Sequence, residues 1–221
     1  MKSINNYIEH TILKPDASIS DIEKVALEAR EYNFLGVCVN PNYVKLAHNL
    51  LSYTNIKIVT VVNFPLANNT VDMTKYQIER VLEFGADEID TVINISALKS
   101  KDYKRVEDDL IMTKAACEGR NLKVILETDL LTKDEIKTAC EIAINAGANF
   151  VKTSTGFVKN GVGARIEDVE LMKKIVNPYS LEVKASGGIK NYEQALKLIE
   201  AGATRLGTSS GVEIMKGYKN V

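Results

Sequence analysis

The chain has 221 residues, of which 45% are hydrophobic and 26% charged, with a formal net charge of -1. That is the balance of a globular protein with enough chain for one substantial core. It provides no global positive field to gather nucleic acid or an anionic membrane surface, and the longest apolar runs fall well short of a membrane span.

The opening segment MKSINNYIEH lacks the apolar stretch of a secretory signal. The three cysteines, Cys38, Cys117 and Cys140, are far apart and form neither a CxxC pair nor a Cys/His cluster. A zinc site or disulfide framework is therefore not expected, and a reducing, cytoplasmic setting is.

Along the chain, short β-rich runs alternate with charged, helix-compatible segments. A weak first strand lies at 7–11 (YIEHT). A helix over 20–32 follows, with Ser20 and Glu23 spaced as a capping box. The strand FLGVCVN (34–40) leads through Pro41 to a helix over 42–51, and KIVTVVNF (57–64) leads to a helix over 72–84. EIDTVI (88–93) precedes a helix over 103–118. KVILET (123–128) precedes a helix over 132–146 that opens with the capping-box spacing Thr132 and Glu135. FVKTS (150–154), LEVKAS (181–186) and TRLGTS (204–209) complete eight strands, with helices over 166–176 and 192–200 and a short helical turn over 211–215. The phrases FGADEI (84–89), AGANFV (146–151) and AGATRL (201–206) repeat one Gly-Ala helix exit running straight into a strand. Eight such units exceed the usual five or six strands of a doubly wound sheet and predict an α/β fold, a (β/α)8 TIM barrel, as one domain over 1–221.

The polar residues near strand ends are Asn40, Asn63, Asp90, Glu127, Lys152 and Lys184. In a barrel those ends form the catalytic mouth. A single lysine in a strand can equally be an edge or surface residue. Lys152 and Lys184, however, occupy equivalent places in consecutive units, where each must enter the mouth or bear the cost of burial. Neighbouring ammonium groups disfavour each other's charge, which makes one amine a nucleophile suited to Schiff-base chemistry. Asp90 is the expected acid/base partner, and Glu127 reads as a positioning carboxylate. Gly187 and Gly188 follow the Lys184 strand, and Ser209 and Ser210 follow the last strand, where backbone N–H groups and hydroxyls can cradle a phosphate. Neither loop matches a dinucleotide or Walker pattern. Thr153 can bring a hydroxyl near the amine. Cys38 reads as a small buried thiol, His10 as a residue able to touch the site, and His48 as an ordinary helix residue.

The motifs EHTILKPDAS (9–18), VCVNP (37–41), NFPLA (63–67), GADEIDTVINISALKS (85–100), VKTSTGF (151–157), VKASGGI (183–189) and RLGTSSG (205–211) span nearly the whole chain. Together they closely resemble the deoxyribose-phosphate aldolase family. The resemblance implies a class I, metal-free and cofactor-free barrel lyase that reversibly cleaves 2-deoxy-D-ribose 5-phosphate to D-glyceraldehyde 3-phosphate and acetaldehyde. By the family pattern, Lys152 is the Schiff-base residue, Lys184 the second lysine, and Asp90 the proton donor and acceptor. Gly187, Gly188, Ser209 and Ser210 fall in the phosphate region, and Cys38 lies near the pocket without being required.

The chain departs from the family pattern at Glu9, where aspartate is usual, at Asn63 and Ala67, where glycines are usual, and at Thr91 and Ser96. The partners expected are a phosphosugar and aldehydes, with self-association as a homodimer or higher homo-oligomer and no nucleic acid or membrane. Another Schiff-base phosphosugar aldolase, a transaldolase-like enzyme, and a non-catalytic sugar-phosphate-binding barrel are the competing readings. The tail GYKNV (217–221) leaves open whether it closes over the site.

Overall fold

The computed structural model describes residues 3–219. Among these, eight parallel strands close into a barrel in sequence order, β1 (Ile8–Ile12), β2 (Gly36–Val39), β3 (Lys57–Val62), β4 (Glu88–Val92), β5 (Asn121–Ile125), β6 (Phe150–Lys152), β7 (Glu182–Ser186) and β8 (Arg205–Thr208). The weak first strand is real: β1 pairs with both β2 and β8 and so completes the closure. The surrounding helices are α1 (Ile19–Tyr32), α2 (Val44–Leu51), α3 (Val71–Glu83), α4 (Ile95–Lys99), α5 (Tyr103–Ala116), α6 (Lys133–Asn145), α7 (Ile166–Val176), α8 (Tyr192–Glu200) and α9 (Gly211–Lys219).

Three local expectations need correction. The capping box of α1 is built by Ser18 and Asp21 rather than Ser20 and Glu23. Ser18 has extended backbone and accepts from the Asp21 N–H, while the Asp21 carboxylate accepts from the Ser18 N–H; Ser20 already lies inside the helix. The turn expected over 211–215 is a nine-residue helix, and α4 was not foreseen. By contrast, α6 starts as predicted, with Thr132 and Glu135 capping each other. The repeated Gly-Ala exits at Gly85, Gly147 and Gly202 all have positive φ, the left-handed conformation that ends a helix at little cost for glycine.

The period of two along each strand decides what fills each side of the barrel wall. Ile8, Val37, Val39, Ile89, Leu122, Val124, Val151, Val183, Ala185 and Leu206 face outward and join the helices in one continuous apolar core. The intervening positions face inward. There the usual layers of branched aliphatic residues are largely replaced by charge: Glu9, Asp90, Lys123 and Lys184 are fully buried, and Lys152 is 3% exposed. A charged barrel interior costs several kcal/mol per ion unless every charge is paired, at about the scale expected for buried ions.

Candidate active site

Lys152 is the last residue of β6, and Lys184 is its direct register partner at the centre of β7. Both reach the same oxygen of Asp90, with Lys152 Nζ 2.8 Å and Lys184 Nζ 2.7 Å from Oδ2. Asp90 is carried at the centre of β4, below the mouth, and is wholly buried. Lys152, Lys184 and Asp90, each singled out from the sequence, thus meet in one contact, with Asp90 and Lys184 one layer deeper than the strand ends.

Lys184 also donates to the Glu9 carboxylate. Burial pushes the Lys184 ammonium toward its neutral form, but Asp90 and Glu9 outweigh it and hold the proton well above the usual lysine range. Burial likewise pushes the Asp90 carboxyl up, and Lys123, Lys152 and Lys184 together outweigh it and hold it well below the usual carboxylate range. Mutual repulsion between the two amines therefore does not neutralise Lys184, because the carboxylates around it fix its charge.

Three residues that the sequence reading missed complete the cluster. Lys123 on β5 is wholly buried and lies 2.6 Å from Glu88, 3.1 Å from Asp90 and 3.5 Å from Glu9. Arg205 on β8 lies 3.5 Å from Glu9 and 3.8 Å from Glu88. Lys123 and Arg205 both sit against the Phe150 ring, at 5.8 and 5.3 Å from its centre. With all groups ionised, the carboxylates Glu9, Glu88 and Asp90 face the cations Lys123, Lys152, Lys184 and Arg205, leaving one positive charge in excess. Lys152 has a single carboxylate partner in this cluster, Asp90, and is the one cation of the four that lines the cavity.

The cavity above Lys152 has a volume of about 700 Å³. Gly187, Gly188, Ser209 and Ser210 line it together with Thr155, His10, Lys14 and Lys190. The loop after β6 packs directly on the Gly187–Gly188 turn. Gly163 and Gly187 both have positive φ, and a β-carbon on Gly163 would come within 2.4 Å of the Gly187 carbonyl. The Ala164 N–H donates to the Gly187 carbonyl oxygen, and Asp129 holds the loop through the Gly163 N–H and Arg165. Glu127 accepts from the Thr155 N–H and hydroxyl and so fixes a residue of the cavity wall; burial raises its carboxyl.

Thr153 does not offer a free hydroxyl. Its Oγ1 donates to the Ser186 carbonyl and accepts the Ser186 N–H, stapling the end of β6 to β7. Cys38 points inward on β2 among Leu13, Val59 and Val61, beneath Leu13 of the cavity wall, and burial pushes its thiol up. His48 packs its ring against Gly85. Gly217 and Tyr218 of the tail pack on Tyr192 of α8, while residues 220–221 lie outside the described part. Glu9 uses its extra methylene to serve Lys184, Lys123 and Arg205 at once. Asn63 and Ala67 both take left-handed φ, 49° and 55°, which accounts for glycine being usual there. Among the described residues, no three His, Cys, Asp or Glu side chains converge as a metal centre, and no helix is long and apolar enough to cross a membrane.

Residues 6–217 match the family described as DeoC/LacD family aldolase. The chain is 52% identical over 220 residues to the deoxyribose-phosphate aldolase of Thermococcus kodakarensis, covering 98% of this chain and 97% of that one. It is 50% identical over 214 residues to that of Lactococcus lactis, covering 97% and 96%. The structure of the tetrameric deoxyribose phosphate aldolase from Aeropyrum pernix superposes with a TM-score of 0.89 at 30% identity, covering 98% of this chain and 91% of that one. The fold, the buried lysine–carboxylate cluster and these matches agree that this chain belongs to the DeoC/LacD family of aldolases.

Proposed function

We propose that this chain is a deoxyribose-phosphate aldolase, cleaving 2-deoxy-D-ribose 5-phosphate reversibly to D-glyceraldehyde 3-phosphate and acetaldehyde, with Lys152 as the Schiff-base residue. The observation that carries the reading is the arrangement around Asp90: one carboxylate oxygen shared by two lysines, of which only Lys152 opens on the cavity.

The Lys152 amine adds to C1 of the open-chain sugar to give a carbinolamine, which loses water to become an iminium. Asp90, in contact with both lysines, passes the protons that these steps require, and Lys184 supplies positive charge next to the developing hydroxyl. With the C3 hydroxyl deprotonated, the C2–C3 bond breaks: its electron pair stays on C2 as the enamine carbon conjugated with the former iminium nitrogen, and C3 becomes the aldehyde carbon of glyceraldehyde 3-phosphate. The enamine is then protonated at C2, and water releases acetaldehyde and restores Lys152.

The turn at Gly187 and Gly188 and the residues Ser209 and Ser210 hold the phosphate at the far end, which aligns the C2–C3 bond over the amine. A homo-oligomer, dimeric or larger, and a cytoplasmic setting belong to the same reading.

The test is a donor panel on wild type and K152A. Acetaldehyde release from 2-deoxyribose 5-phosphate by wild type, lost in K152A, supports the reading. Transfer of a dihydroxyacetone unit supports a transaldolase-like enzyme instead. Tight binding of the sugar phosphate without turnover supports a binding barrel.

A further inference from the structure

His10 lines the cavity, yet the chemistry at Lys152 leaves it without a role. It alternates with Glu9 on β1 and so faces out of the barrel, toward α1 and the start of α9. It is 3% exposed and lines the cavity beside Ser209 and Ser210. Its Nε2 lies 2.8 Å from the Glu28 carboxylate of α1, an acceptor, so Nε2 carries a proton. Its Nδ1 is buried and has no hydrogen-bond partner. That atom lies 2.9 Å from where a β-carbon on Gly211 would be, at the first residue of α9. The N–H groups of the first turn of a helix point outward without partners inside it and favour an anion. Glycine at 211 leaves room for both the imidazole and the Phe34 ring on which it rests, 5.1 Å between ring centres.

We infer that His10 is a specificity-determining residue that binds the substrate phosphate through Nδ1, its other nitrogen held by Glu28. A buried Nδ1 facing a helix start is a cost when unpartnered and a charge-assisted donor when a phosphate dianion is present. Glu28 holds Nε2 and orients the ring, in the manner of a carboxylate behind a binding histidine. This inference rests on the proposed function, because it takes the phosphate of the sugar as its ligand.

The experiment compares kcat/KM for 2-deoxyribose 5-phosphate with kcat/KM for unphosphorylated 2-deoxyribose in wild type, H10Q and H10N. Glutamine places its amide nearer the position of Nε2, and asparagine places its amide nearer that of Nδ1. The ratio of the two kcat/KM values is expected to fall about tenfold or more in H10Q, the scale of one lost charge-assisted hydrogen bond, and to fall less in H10N. A ratio in H10Q equal to that of wild type overturns the inference, even if both rates drop together, since that is the signature of a structural role. A ratio in H10N as low as in H10Q overturns it as well. If wild type shows no preference for the phosphorylated sugar, both this inference and the proposed substrate fail. If the preference is present and H10Q keeps it, this inference alone fails.

Discussion

Replacing Lys123 by methionine removes the cation that ties the floor of the site together. Lys123 is wholly buried between Glu88 at 2.6 Å, Asp90 at 3.1 Å and Glu9 at 3.5 Å. In K123M, Asp90 keeps Lys152 and Lys184, and Glu9 keeps Lys184 and Arg205, but Glu88 is left with the neutral Asn121 amide at 3.0 Å and with Arg205, at 3.8 Å, as its one remaining cation among the described residues. Formal balance of three carboxylates against three remaining cations does not protect the protein, because the deficit is local. Breaking a buried pair by removing one partner costs about 3–5 kcal/mol. For a chain of this size that corresponds to a fall in Tm of about 6–20 °C. The double variant K123M/E88Q, which removes the stranded carboxylate as well, is expected to recover part of the loss, with a coupling energy of at least about 1 kcal/mol in the mutant cycle. Thermal unfolding by circular dichroism measures both. A K123M protein melting within about 2 °C of wild type, or a double variant less stable than the sum of the single changes, refutes the reasoning.

The Asp90 and Glu88 carboxyls are held below their ordinary values. Their contribution to stability is therefore fully present above the unfolded carboxylate range, about pH 4, and is lost as pH falls through the lower folded values. Lys184 is held above its ordinary value, so its contribution is present below about pH 10 and is lost only as pH rises through the folded value. Tm should be nearly flat across neutral pH and fall in acid, and D90N should fall less steeply there; an equally steep acid limb in D90N contradicts the assignment. The substitution G163A drives a β-carbon to 2.4 Å from the Gly187 carbonyl at a backbone φ of 81°. It should raise KM for the sugar phosphate by about tenfold, the effect of strain on the order of 1–3 kcal/mol at the loop. An unchanged KM shows that this contact does not shape the Gly187–Gly188 turn for the sugar phosphate.

The fold was legible because each of its units announces itself: a Gly-Ala helix exit, a β-rich run, a capped helix. The weakest of them, β1, still carried its alternation, with Ile8 facing out and Glu9 facing in. The start of α1 was displaced because Ser18 and Ser20 offer the same hydroxyl, and only backbone conformation decides which one caps. The meeting of Lys152, Lys184 and Asp90 was legible from lysines and an aspartate inside apolar runs. Lys123, Glu88 and Arg205 were not, because each lies at the start of the strand as read from the sequence, where a charge ordinarily marks the boundary with solvent. The signal that could have found them is the period of two: Glu88 shares a face with Asp90, and Arg205 with Gly207, whose missing side chain leaves space for the Lys184 stem. Lys123 in turn pairs directly with Asp90 across the β4–β5 ladder, a relation that needs the register and cannot be read from either strand alone.

The central claim is that Lys152, alone among the clustered lysines, carries the substrate. Borohydride reduction of the protein during turnover of 2-deoxyribose 5-phosphate, followed by peptide mass spectrometry, tests it most directly. The account predicts a reduced adduct on Lys152, none on Lys184 or Lys123, and none on any of them in K152A. Full turnover with Lys152 unmodified, or an adduct on Lys184 in its place, contradicts it.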